Sequence, residues 1–158
     1  MSDNVLIPGL SATVATDDDG TAQHQSIKVM AGNNGTFRRW LPFESTPFHL
    51  ISAATINATV VKASEGWLCY IMASNVNAAV RYLKFYDKAT TPAPASDSAL
   101  LKLVVALPVT STNPVMMDFG DNSIHFASGI AIVCVTGISD TDATAVAASE
   151  QNINLGYC

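Results

Sequence analysis

Between Ser128 and Gly137 the chain reads Ser-Gly-Ile-Ala-Ile-Val-Cys-Val-Thr-Gly, a β-branched run bounded by glycines and of the right length for one buried strand. Comparable runs surround it, separated by turn-rich segments, with no amphipathic helix of convincing length between them. Ala54 to Lys62 sets Thr55, Asn57 and Thr59 opposite Ile56, Ala58 and Val60, the period-two alternation of a half-buried strand. Glu65-Gly66 then turns the chain into a strand over Trp67 to Ala73. In Ala79 to Tyr86, Val80, Tyr82, Lys84 and Tyr86 share one face, and Arg81, Leu83 and Phe85 the other. Neither face is cleanly polar, and Lys84 and Arg81 are expected to snorkel past aromatic neighbours. Pro92 and Pro94 break the chain before Leu100 to Leu107, whose continuous Leu and Val content predicts a strand covered on both sides. Pro108 and Pro114 bracket a loop. Val115 to Phe119 and Ser123 to Phe126 are predicted to form a hairpin around Gly120-Asp121-Asn122. Asp140 to Ala148 reads as loop, and Asn152 to Tyr157 as the last strand.

The first 50 residues differ. Thr16-Asp17-Asp18-Asp19-Gly20, Asn33-Asn34-Gly35 and the prolines Pro8, Pro42 and Pro47 punctuate them so often that no long element fits. They read as an extended N-terminal arm (1–50) with one short strand at Ser26 to Met30 and a tight turn at Asn34-Gly35. The remainder (51–158) has about seven to nine strands spaced by turn signals, which predicts an all-β, antiparallel β-sandwich of jelly-roll kind.

At 158 residues the chain is sized for a real core. Charged residues make up only 13% of it, about half the usual share, which favours a surface that meets other protein. The alternative is a monomer covered by small Ala, Thr and Ser. The net charge of −5, with Arg38-Arg39 as the sole basic pair, argues against duplex nucleic acid. No apolar run approaches the ~20 residues that span a bilayer, and Met1 to Gly9 lacks the features of a signal peptide, so the expected partners include no membrane and synthesis is expected in a cytoplasm.

Candidate chemistry is sparse. Cys69, Cys134 and Cys158 lie too far apart for the paired spacings of structural zinc. Cys69 and Cys134 sit in apolar runs and read as core thiols, with a disulfide between them as the alternative. Cys158 reads as an exposed thiol that could form an interchain disulfide in an oxidising environment, or as a tolerated terminal residue. His24, His49 and His125 have no metal-site spacing, and Asp17-Asp18-Asp19-Gly20 lacks the acid that closes a calcium loop, Lys28 standing there instead. That segment reads as a solvated turn, and no metal or other cofactor is expected. Ser128 lacks the flanking glycines of a nucleophile elbow, and Asp118-Phe119-Gly120 has no phosphate loop or catalytic loop to accompany it. Trp40, Trp67, Tyr70, Tyr82, Phe85 and Tyr86 could build a stacking platform, with Trp40 and Trp67 as its strongest candidates, or fill a core or interface. No catalytic constellation emerges, so the chain is expected not to be an enzyme.

Three segments carry a family resemblance: Asn57-Ala58-Thr59-Val60-Val61-Lys62-Ala63-Ser64, the stretch Asn77-Ala78-Ala79-Val80-Arg81-Tyr82-Leu83-Lys84-Phe85-Tyr86-Asp87-Lys88-Ala89, and Ala127-Ser128-Gly129-Ile130-Ala131-Ile132. In this order, and with Gly120 to Phe126 before the glycine strand and Ser139 to Ala147 before a short final strand, the chain resembles a family of small bacteriophage virion proteins over about 100 residues from Ala54 onward. Ala15 to Met30 also resembles the acidic turn and short strand that open such proteins, though Ala22-Gln23-His24-Gln25 departs from the usual aromatic-containing form. The resemblance implies a place in a virion rather than a reaction. The leading expectation is a capsid decoration protein, a homotrimer whose partners are itself and other virion proteins such as the major capsid protein, with the arm contacting neighbours. A tail, collar or fibre-attachment component is the second reading, and a carbohydrate-binding module using Trp67 and Trp40 is a third, from a different class.

Overall fold

The structure, a computed structural model, describes the backbone at 4–6, 13–18, 23–25, 30–31, 38–39, 45–110 and 113–158, and side chains within the last two ranges other than that of Asp121. The chain divides into two compact units, Met1–Pro42 and Phe43–Cys158.

In the first unit β1 (Asn4–Leu6) pairs antiparallel with β2 (Thr13–Asp18), which pairs with β3 (Gln23–Gln25), and β4 (Met30–Ala31) pairs with β5 (Arg38–Arg39). Several short strands therefore replace the single expected one. Of Ser26 to Met30 only Met30 is described, and it opens β4; residues 26–29 and the Asn34-Gly35 turn lie outside the described residues. Asp17 and Asp18 are strand residues opposite His24 and Gln23, not a turn.

The second unit is a sandwich of two antiparallel sheets. Its strands are β6 (Thr46–Ile51), β7 (Thr59–Lys62), β8 (Gly66–Asn75), β9 (Arg81–Asp87), β10 (Leu101–Leu107), β11 (Val115–Asp118), β12 (Ile124–Phe126), β13 (Ile130–Val135) and β14 (Gln151–Tyr157). The β13 sheet has the order β10-β9-β13-β7, and the β14 sheet the order β11-β8-β14-β6, with β12 also paired to β8. The first strand of this unit pairs with the last (β6 with β14), the second with the second-to-last (β7 with β13), β8 with β11 and β12, and β9 with β10, as if one long hairpin had been wound into two layers. A one-turn helix, α1 (Pro94–Asp97), precedes β10.

Alternation selects the core. Leu68, Ile71 and Ala73 of β8, Ile153 and Leu155 of β14, Leu83 and Phe85 of β9, and Ile130, Ile132 and Cys134 of β13 meet between the sheets, with Phe48 and Leu50 of β6 packed against them. Four expectations change. The chain enters the sandwich at β6, before residue 51, so the N-terminal unit ends earlier than the arm drawn from the sequence. The alternating stretch before Thr59 is a loop, because Asn57 takes φ 50° and its side chain hydrogen-bonds the Ala53 N–H and the Ala53 and Thr55 carbonyls, locking the chain into a turn. β10 is an edge strand with partly exposed side chains rather than one covered on both sides. β11 and β12 do not form a hairpin with each other: joined by the 3₁₀ turn Gly120–Asn122, they lie end to end along the long strand β8.

The crossing from β12 to β13 is held by Asp87, the last residue of β9. Its carboxylate accepts the N–H groups of Ala127 (3.0 Å), Ser128 (2.6 Å) and Gly129 (3.4 Å), and pairs with the Lys102 ammonium at 3.0 Å. Lys102 is the extra residue at a register shift in β10, which frees its side chain to reach across. Gly129 is required at this crossing, since a Cβ there would stand 2.7 Å from the Lys62 carbonyl oxygen and 2.9 Å from Ala89 Cα. Burial alone would raise the Asp87 pKa, but the Ser128 N–H, the Lys102 ammonium and the Ala127 and Gly129 N–H groups outweigh it and hold the carboxyl at about 2.

A folded-state pKa below the unfolded value adds stability that is complete above about pH 4 and is lost as pH falls through about 2, worth about 2 kcal/mol here. Asp87→Asn is therefore expected to lower unfolding free energy by about 1–2 kcal/mol near neutrality, and to flatten the acid limb of a stability-against-pH curve measured by urea unfolding. An unchanged acid limb would show that Asp87 is not its source.

Candidate interaction surface

The two sheets treat their outer faces differently. On the β13 sheet, Ala131, Val133 and Val135 of β13 and Tyr86 of β9 point away from the main core yet are fully buried, with Ile56, Ala58, Tyr82 and Leu101 packed against them. Two loops make this cover. The 52–58 loop brings Ile56, whose carbonyl accepts the Cys134 N–H at 2.8 Å, and the loop after β13 returns through a bridge between Val135 and Ala145. Asp142 shapes the second loop by accepting the Gly137 N–H at 2.9 Å and the Thr144 hydroxyl at 2.8 Å.

Lys84 lies beneath that loop. It is buried rather than snorkelling, and its ammonium donates to the Ser139 carbonyl. Burial lowers its pKa, opposed by the nearby Asp142 and Asp140 carboxylates. Next to it on the same face, burial pushes the Tyr86 phenol up to about 12, reinforced by Asp140 and Asp97. At one end of the core, Asn75 donates to the Ala79, Leu107 and Pro108 carbonyls, Arg81 pairs with the buried Glu150, and the Ser52 hydroxyl accepts the Glu150 and Gln151 N–H groups. These polar groups tie the neighbouring turns and strand ends together.

The β14 sheet is open. Pro47, His49 and Ile51 of β6 alternate with the core-facing Phe48 and Leu50, and the same alternation exposes Asn152 of β14 and Met116 of β11, with Asn154 of β14 and Tyr70, Met72 and Ser74 of β8 half-buried beside them. Register aligns them in rungs: Met116, Met72, Asn154 and His49 form one, and Asp118, Tyr70, Gly156 and Pro47 the next. His49 Nε2 lies 2.9 Å from Asn152 Oδ1, which confirms that both point outward on one face. Met116 is 73% exposed and Ile51 55%. Asp118 is the one charged side chain among these positions. Such a surface, apolar and amide-bearing with almost no charge, is inexpensive to desolvate against another protein.

Gly156 sets the relief of this face. A Cβ there would lie 2.0 Å from Tyr70 Cε1, so the Tyr70 ring lies flat over the glycine. Trp67 sits at one end of the face, where its ring meets His125 with centroids 4.8 Å apart, and His125 in turn reaches Glu65 at 2.8 Å. One face of the indole is thus engaged inside the protein. Trp40 lies outside the residues whose side chains are described. Cys69, Cys134 and Cys158 are free thiols: Cys134 points into the core, while Cys158 lies beside Cys69. Nothing in sequence spacing signalled that pairing, because a β-bulge creates it.

Gly156→Ala is expected to cost about 1–2 kcal/mol by displacing the Tyr70 ring, and Tyr70→Ala in the same chain should remove most of that penalty. Urea unfolding of the two single variants and the double variant measures the coupling; additive effects would mean that the ring does not rest on the glycine. Compared with known proteins, the chain matches no family model, no curated protein and no solved structure.

Proposed function

We propose that the chain is a non-enzymatic bacteriophage virion structural protein, a capsid decoration protein that stabilises the shell through subunit contacts. Made in the host cytoplasm, it resides on the virion as a homotrimer. The observation that carries this reading is the contrast between the faces of the sandwich: the chain covers one with its own loops and leaves the other broad, nearly uncharged and exposed. The pairing of first strand with last and second with second-to-last supports the jelly-roll reading of the sandwich, an architecture that viral capsid and lectin domains share. Fold alone does not choose between them. The resemblance of Asn77 to Ala89 and Ala127 to Ile132 to phage virion proteins favours the capsid, and the engagement of Trp67 with His125 weighs against a sugar-stacking platform.

The test is to image particles lacking the protein after adding recombinant subunit. Density at regular capsid lattice positions is the expected result, and density confined to the neck or tail would replace decoration with a tail, collar or fibre-attachment role. Met116→Glu combined with His49→Glu places two carboxylates on exposed positions of the open face, and is expected to weaken particle binding at least ~10-fold with folding intact by circular dichroism. Unchanged binding would move the contact to another surface. Absence of particle association together with glycan binding that Trp67→Ala abolishes would establish the carbohydrate-binding alternative.

A further inference from the structure

The corner where β14 ends against β8 holds two thiols in a geometry that sequence separation conceals. Cys158 lies directly opposite Trp67, each donating its N–H to the other's carbonyl at 2.9 Å. One step back, the register of β14 on β8 passes from Gly156 opposite Tyr70 to Tyr157 opposite Leu68, so Cys69 is the extra residue of a β-bulge. A bulge re-aims its side chain. Here the Cys69 thiol donates at 3.6 Å to the Trp67 carbonyl, the same oxygen that accepts the Cys158 N–H, which brings its sulfur beside the Cys158 thiol at the end of β14. Cys134 is fully buried on the core face of β13 and takes no part.

From this geometry we propose that Cys69 and Cys158 are a modification site: they form an intrachain disulfide across the bulge, which staples the end of β14 to β8. The pairing is independent of the virion reading. The oxidant is a low-molecular-weight disulfide such as oxidised glutathione. The Cys158 thiolate, on the more accessible residue, attacks one sulfur of oxidised glutathione and expels one glutathione thiolate, giving a mixed disulfide. The Cys69 thiol then loses its proton, and its thiolate attacks the Cys158 sulfur, expelling the second glutathione thiolate. Two protein thiols are oxidised, one glutathione disulfide is reduced to two thiols, and the two protons leave with them. The covalent bond, about 2.05 Å long, joins side chains that the bulge already sets side by side and requires no new strand register.

The surroundings set the rate. Burial, the hydrogen bond that the Cys158 S–H donates to the Cys69 sulfur and the charge of a Cys69 thiolate push the Cys158 thiol up to about 11, only partly offset by the Lys62 ammonium. Thiolate is scarce at neutral pH, so closure is slow there and accelerates about tenfold per pH unit, continuing to rise above pH ~9 where an ordinary thiol levels off. The reduced form therefore persists through synthesis in a reducing compartment, and the staple closes on prolonged exposure to oxidising surroundings.

The test treats the full chain with oxidised glutathione at mildly alkaline pH, then counts free thiols by alkylation and intact mass and maps the linked peptide. Expected is a fall from three thiols to one, a single linked pair joining Cys69 to Cys158, monomeric mobility without reductant, and a thermal midpoint higher by on the order of 10 °C that reductant reverses. Cys134→Ser should close the same bond, whereas Cys158→Ser should retain its remaining thiols. Three thiols surviving excess oxidant, a linkage involving Cys134, or covalent dimers joined through Cys158 as the main product would each overturn the proposal, and mapping the unmutated chain makes the result independent of whether any variant folds.

Discussion

The six residues Ile130–Val135 have no exposed side chain, and the rest of the sandwich is arranged around that constraint. A β-strand points its side chains alternately to two sides, so a strand apolar at every position requires cover on both. Ile130, Ile132 and Cys134 find it in the second sheet. Ala131, Val133 and Val135 lie on the opposite side, where Ile56 and Ala58 of the 52–58 loop, with Tyr82 and Leu101, pack against them. Loops that do this bring polar backbone into a dry place, where each unpaired group costs on the order of 1–3 kcal/mol. The dense local bonding of Asn57, Ser52 and Asp142 answers that requirement: each satisfies several backbone groups of a covering loop with one short side chain. Lys84 follows the same logic, with a stem long enough to cross the apolar layer and an ammonium that meets a loop carbonyl on the far side.

The winding has a kinetic counterpart. β6 pairs with β14 and β7 with β13, so the ends of the second unit must meet before either sheet is complete. Loop-closure entropy opposes such contacts until several form together, which places this topology among slow-folding, cooperative β proteins. β14 is the keystone of its sheet because it bonds both β6 and β8, and it is also the last element of the chain. Whatever holds its end against β8 therefore acts on the persistence of the whole sheet.

How much was legible in the sequence depends on whether the information was local. The both-sided burial of Ile130–Val135 was legible because its pattern has no polar position, and the bounds of β9, β10 and β14 followed from prolines, glycines and turn residues to within one or two residues. Alternation around Asn57 was misleading, since a loop that covers an apolar face also alternates apolar and polar groups, and only the positive φ distinguishes it. The Leu and Val content of β10 suggested a central strand, yet its place at the edge is decided by which other strands the chain has left to pair with it. The open face was invisible for a similar reason: Pro47, His49, Met72, Met116 and Asn154 come from four strands and form one surface only through register. The thiol corner needed a bulge, which no composition encodes.

Register also explains why a charge-poor chain need not be an unstable one. Among the described residues, several acids and bases pair within the protein: Asp87 on a turn and Lys102, Asp97 on Lys88 at 2.5 Å, Glu150 on Arg81, and Lys84 under a loop that holds Asp142. On the β14 sheet Asp118 is the lone charge among the outward positions named. A partner on the covered side would meet loops bonded to the strands beneath, whereas the open face presents strand side chains over a backbone already satisfied within the sheet. The requirement that seals one side of the sandwich thus leaves the other as the side where association disturbs least.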